Sequence, residues 1–290
     1  MTHLCVTCGT QFPAADHPPQ HCPICEDERQ FIGLQGQHWT TLPQLQRTHR
    51  NMLHQEGEGI WGIATVPAFG IGQRALLIGT KQGNILWDCV SLIDSDTVAL
   101  IKALGGIYAI AISHPHYYTS MVEWSRAFDG VPIYLHEDDR GWVQRPDANM
   151  TFWQGDIHSL EHGLTLIRVG GHFPGFQVLH SAEAENGQGA LFTGDQPQVC
   201  PDKRYVSFMY SYPNFIPLKA ASVRRIVSTL EPFSFTKLYG AWPDFVVQGD
   251  AKEALRRSAE RYLRAVENSP SIDLRVGTHR IRALMAGGIA

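Results

Sequence analysis

The chain has 290 residues, 43% of them hydrophobic and 18% charged, with a net charge of −4. That composition supports a sizeable packed core and excludes a disordered chain or a strongly basic protein that coats nucleic acid. No apolar stretch reaches the roughly 20 residues of a membrane span. The start, Met1-Thr2-His3-Leu4-Cys5, lacks a signal peptide's charged head and apolar middle, so a cytoplasmic location is expected.

The first segment, residues 1–34, is rich in Cys, Pro and His and too poor in apolar residues to build its own core. Four of the six cysteines fall here, as Cys5-Val6-Thr7-Cys8-Gly9 and Cys22-Pro23-Ile24-Cys25. Each CxxC pair can present two thiolates from one tight turn, and four thiolates around one ion suit a closed, structural Zn²⁺ site. Such binding can fold a segment that has no core. A redox pair and a rubredoxin-like iron centre are the rival readings, and the short connecting loop favours the zinc ribbon. Cys89 and Cys200 stand alone and read as small buried residues.

Residues 35–58 read as a linker, with Gly33-Leu34-Gln35-Gly36-Gln37 at its start and a polar run behind Trp39. The main domain is expected over 59–290. Its first strands are Gly59–Ala64, Arg74–Gly79 and Gly83–Asp88, with Gly83-Asn84 read as a tight turn. Strands and helices then alternate. Asp96–Leu104 and Ser120–Phe128 are expected as helices, and Ile107–Ile112 and Pro132–Leu135 as strands. Three further strands follow at Leu164–Val169, Gln177–His180 and Leu191–Thr193. Next come a helix at Leu218–Leu230, a strand near Lys237–Tyr239 and an amphipathic helix at Lys252–Glu267. Hairpins first and β-α units afterwards predict an α+β fold of layered sheets covered by helices. The last residues, Ile281–Ala290, show no pattern.

Three strand ends carry the chemistry. Ile107–Ile112 runs into Ser113-His114-Pro115-His116-Tyr117-Tyr118-Thr119, which can aim two imidazoles at one point. Gly170-Gly171-His172-Phe173-Pro174-Gly175 follows another strand, and Leu191-Phe192-Thr193-Gly194-Asp195 ends a third. Three neutral imidazoles and a carboxylate suit Zn²⁺, Fe²⁺ or Mn²⁺.

The order His-x-His, Gly-His-x-Pro-Gly, Thr-Gly-Asp resembles the metallo-β-lactamase superfamily over roughly residues 60–250. The resemblance implies an αββα sandwich with an active site along one edge of the sheets, here preceded by a four-cysteine zinc ribbon. It implies metal ligands at His114, His116, His172 and Asp195. The superfamily's first motif continues with an Asp-His pair for a second metal, and those positions hold Tyr118 and Thr119. The late second-metal histidine is also missing from Tyr239-Gly240-Ala241-Trp242. A single catalytic metal is therefore expected.

The expected function is a metal-dependent hydrolase in which Asp195 is ligand or base and Tyr117 or Tyr118 donates to the oxyanion. A mononuclear iron oxygenase acting on a sulfur or other small substrate is the alternative, and a non-catalytic metal-binding scaffold is a third. The expected partner is a small molecule, with no nucleic acid or membrane and a homodimer allowed. The long loop Pro201–Pro217 and residues Trp242 and Phe245 read as an aromatic substrate wall, with Lys203 and Arg204 available to an anionic group. His136 is a candidate for the site's edge.

Overall fold

The computed structural model describes residues 1–267. Along the central strands side chains alternate between two faces, so each strand feeds two cores. In Ala75–Thr80, Gly83–Trp87 and Ala109–Ala111, the residues Leu76, Ile78, Ile85, Trp87, Ala109 and Ala111 pack toward the second sheet. Their neighbours Leu77, Leu86 and Ile110 pack the other way, onto Ile101, Val122 and Trp124 of the helices Ser95–Ala103 and Met121–Ala127. The second sheet repeats the device. Leu166, Leu179, Phe192 and Tyr239 face the first sheet, and Ile167, Val178, Leu191 and Leu238 face the helices Ala220–Leu230 and Ala251–Glu267. The result is the expected αββα sandwich.

The first sheet has seven strands in the order Met150–Trp153, Ile133–His136, Ala109–Ala111, Gly83–Trp87, Ala75–Thr80, Ile60–Val66, Arg50–Gly57. Its first four strands in the chain form an antiparallel meander, and the next three add in parallel. The second sheet has six: Ile157–Ser159, Leu164–Arg168, Gln177–Ser181, Ala190–Gly194, Lys237–Gly240, Val246–Val247. The ribbon carries a small three-stranded sheet with Thr2–Cys5 between Gln11–Ala14 and Trp39–Thr40.

Two expectations are corrected. Residues 35–58 are not a linker. Trp39–Thr40 completes the ribbon sheet, Leu42–Thr48 is a helix closed by a Thr41–Gln44 capping box, and Arg50–Gly57 is the edge strand of the large sheet. An edge strand that stays mostly in solvent keeps polar residues on both faces, so its composition imitates a connector. The hairpin turn lies two residues earlier than Gly83-Asn84. Lys81 and Gln82 join Thr80 to Gly83, and Asn84 is a strand residue whose amide donates to the carbonyls of Leu104 and Gly106. The remaining elements fall within a few residues of expectation; 268–290, including Ile281–Ala290, lies outside the described residues. Among those described, no helix is long and apolar enough to cross a membrane.

Candidate metal centres

The four-cysteine cluster forms as the sequence predicts. Cys5, Cys8, Cys22 and Cys25 are buried, and their sulfurs lie within 4.8 Å of one another. The Sγ separations are 3.5 Å for Cys5–Cys25 and 3.6 Å for Cys8–Cys22. Four sulfurs about 2.3 Å from a shared tetrahedral ion stand about 3.8 Å apart, so the cage fits such an ion with little adjustment. Gly9 supplies the first knuckle's left-handed bend at φ +81°, and its carbonyl accepts from Ser91 Oγ of the main domain at 2.9 Å. Gln37 Nε2 donates to Cys5 Sγ at 3.1 Å, a contact that favours a thiolate.

The second cluster gathers His114, His116, His172 and Asp195, all buried, with ligand atoms within 4.8 Å of one another. Each stands just past a strand's end. His114 Nε2 lies 3.5 Å from Asp195 Oδ1, and His172 Nε2 lies 3.4 Å from His116 Nδ1. Nitrogens about 2.05 Å from a shared tetrahedral ion stand about 3.3 Å apart. His114 Nε2 and Asp195 Oδ1 are buried without a hydrogen-bond partner, a costly state that one cation between them relieves.

Surrounding groups fix which ring atoms face the centre. His172 Nδ1 donates to the Tyr210 carbonyl at 2.7 Å, leaving the Nε2 lone pair for the site. Ser113 Oγ donates to Asp88 Oδ1 at 2.8 Å and stands 2.9 Å from His114 Nδ1, so that nitrogen donates to the serine. Asp195 Oδ2 accepts from Gln73 Nε2 at 3.5 Å, and Tyr212 OH donates to the Asp195 backbone carbonyl. Outer partners of this kind orient ligands and raise their basicity. Burial pushes the imidazoles of His114 and His116 well below their usual range and His172 down to about 4. These rings are neutral at pH 7, as ligation requires. Burial pushes the Asp195 carboxyl up to about 7.

The cluster forms the floor of a cavity of about 420 Å³ that exposes His116, His172 and Asp195. Tyr212 and Trp242 line it, as the aromatic-wall reading expected, but Phe245 does not and packs against the second core instead. Lys203 and Arg204 do not: both are exposed, and Arg204 pairs with Asp202. The cation at the cavity is Arg29 of the ribbon, which arrives with Gln30 and Phe31. Arg29 Nη1 donates to the His172 carbonyl at 3.1 Å, and its guanidinium stacks 4.0 Å from the Phe173 ring centre. No sequence motif marked Arg29 or Gln73, because each reaches the site by tertiary packing alone.

The tyrosine assignment is also corrected. Tyr117 and Tyr118 are buried, and their hydroxyls donate to the carbonyls of Ala241 and Asp139. Neither lines the cavity, so the oxyanion role expected for them has no support. His136 turns its Nε2 to the Gly155 carbonyl and packs its ring on Trp153; it is structural.

The sandwich and the strand-end cluster define the class of protein: the chain has the metallo-β-lactamase fold. It superposes on VMB-1 with a TM-score of 0.56 at 14% identity, covering 75% of this chain and 98% of that one. The DIM-1 metallo-β-lactamase exposed to ceftazidime gives 0.54 at 13%, covering 74% and 98%. FIM-1 from Pseudomonas aeruginosa, solved in a mono-zinc form, gives 0.53 at 16%, covering 73% and 95%. No protein-family model matches the chain. At 47% identity over 268 residues, covering 92% of this chain and 97% of the relative, it belongs to the same family as the uncharacterized protein YmaE of Bacillus subtilis.

Proposed function

We propose that this chain is a cytoplasmic metallo-hydrolase of small molecules, with one catalytic zinc held by His114, His116, His172 and Asp195. A second, structural zinc sits in the cysteine cage. The observation that carries the reading is that His114 Nε2 and Asp195 Oδ1 are buried without a hydrogen-bond partner, in a cluster whose His116, His172 and Asp195 line an open cavity. The count of one follows from Tyr118 and Thr119 at the second-metal positions, where the tyrosine is bound to a backbone carbonyl. Thiols kept for metal, with no disulfide among the described residues, accord with a reducing compartment.

Zinc in such a site lowers the pKa of bound water to about 7 and polarises a carbonyl oxygen. The protein's own contribution is orientation. Gln73 holds one oxygen of Asp195 and leaves the other aimed at the histidines, where it would complete the ligand set. The Tyr210 carbonyl and Ser113 hold His172 and His114 in the tautomers that ligate. Tyr212 and Trp242 give the cavity an aromatic side.

The test is turnover of chromogenic esters, thioesters and phosphoesters by zinc-loaded protein. Hydrolysis of one class, lost in His116→Ala, is the expected result. Bound iron with oxygen consumption and no hydrolysis would instead establish an oxygenase.

A further inference from the structure

The cavity's walls say more about the substrate than its floor does. Resting on the hydrolase reading, we propose that the cysteine ribbon forms part of the substrate site, and that the site takes an uncharged acyl compound with an apolar tail.

Among the described residues, Arg29 is the one cation that lines the cavity, and its fork is already filled. Nε and Nη2 donate to the two Asp27 oxygens at 2.5 and 2.8 Å, and Nη1 donates to the His172 carbonyl. Its flat face is covered by Phe173. A guanidinium committed to a carboxylate in this bidentate way offers no net charge to a second anion. A negative tail entering here would lose its hydration without gaining a counter-charge.

The neutral surface points the same way. Phe31 lines the mouth and is 50% exposed, and Ile71, Pro213 and Trp242 complete an apolar rim. An exposed phenyl ring beside an open cavity is apolar area that a ligand can cover. Gln30 adds one polar handle. It is only 5% exposed, it lines the cavity, and its Oε1 is buried with no partner. A buried amide left unpaired is costly unless a bound molecule completes it, and an amide matches a neutral donor or acceptor better than an ion. Both residues belong to the ribbon. Their backbone is tied to the main domain by Asn214 Nδ2, which donates to the Gln30 carbonyl at 3.0 Å.

Two probes with the same metal-binding head separate tail from floor: hexanohydroxamate and adipic monohydroxamate, which end in a methyl and a carboxylate. Calorimetric titration of zinc-loaded, full-length protein is expected to give tighter binding of the methyl-ended probe, by about ten-fold or more. Phe31→Ala, at an exposed position, should keep both metals and weaken that probe by about ten-fold, the scale of one lost apolar contact. Equal affinities for the two probes, or unchanged binding in Phe31→Ala, would overturn the inference while leaving the hydrolase reading intact. Failure of both probes to bind would overturn the catalytic-metal reading and the inference with it.

Discussion

The two metal-binding clusters are built by opposite means. The cysteine cage takes its ligands from one short stretch, residues 5–25, and its buried sulfurs close on one another. The histidine cluster collects ligands from residues 114–195, delivered by three separate strand ends, and it opens onto a cavity. A closed cage can only hold; an open one leaves a position for a reactant. The clusters are nevertheless joined, because Arg29 leaves the ribbon to bind the carbonyl of His172.

The comparison breaks most visibly at the cage. Cys22→Ser should release the ribbon metal and the folding free energy linked to it, roughly 10 kcal/mol for sites of this kind. Limited proteolysis should then cut the first 35 residues while the sandwich persists; a ribbon of unchanged resistance would refute the structural role. At the open site, His116→Ala should leave folding nearly intact and lower turnover by about a thousand-fold or more, roughly 4 kcal/mol. Comparable losses of stability and turnover there would erase the distinction between the two sites.

A control belongs to neither cluster. Leu179 packs between the sheets without solvent exposure, so Leu179→Ala should cost about 2–5 kcal/mol in denaturant unfolding. Both metals should remain bound.

Arg29→Lys sharpens the joint between the clusters. A lysine cannot span Asp27 and the His172 carbonyl together. The variant should keep the ribbon metal, bind the second metal more weakly and lose about 1–3 kcal/mol of stability. Unchanged affinity at the histidine site would mean that the ribbon is merely attached.

The smallest expected effect concerns pH. Asp139 is buried with Oδ1 accepting from the Gly175 amide at 2.9 Å and Oδ2 unpaired, and burial pushes its carboxyl up to about 7. A carboxyl whose folded pKa is raised favours the folded state at low pH, and that advantage is lost as pH rises from its ordinary value through 7. Asp139→Asn should therefore flatten the stability profile across this window and be better tolerated at pH 8 than at pH 5. A profile parallel to the wild type would remove Asp139 from the account.

These differences also explain what was legible in the sequence. The cage was readable because its geometry is local: two CxxC turns carry it whole. His114, His116, His172 and Asp195 were readable because each ends an apolar strand beside Gly or Pro. The edge strand Arg50–Gly57 was missed because its alternation is mostly solvent-facing. Gln73 and Arg29 carried no signal, since what matters is the carbonyl or carboxylate they meet across the fold. Tyr117 and Tyr118 misled for the same reason: adjacency to a ligand does not fix where a hydroxyl points.

On the proposed reading, two separate ions are held by two separate ligand sets. Metal analysis of purified wild type, Cys22→Ser and His172→Ala tests it directly. The expected counts are two equivalents in the wild type and one in each variant, a different one lost each time. A His172→Ala protein that keeps its full metal content would contradict the proposed catalytic centre.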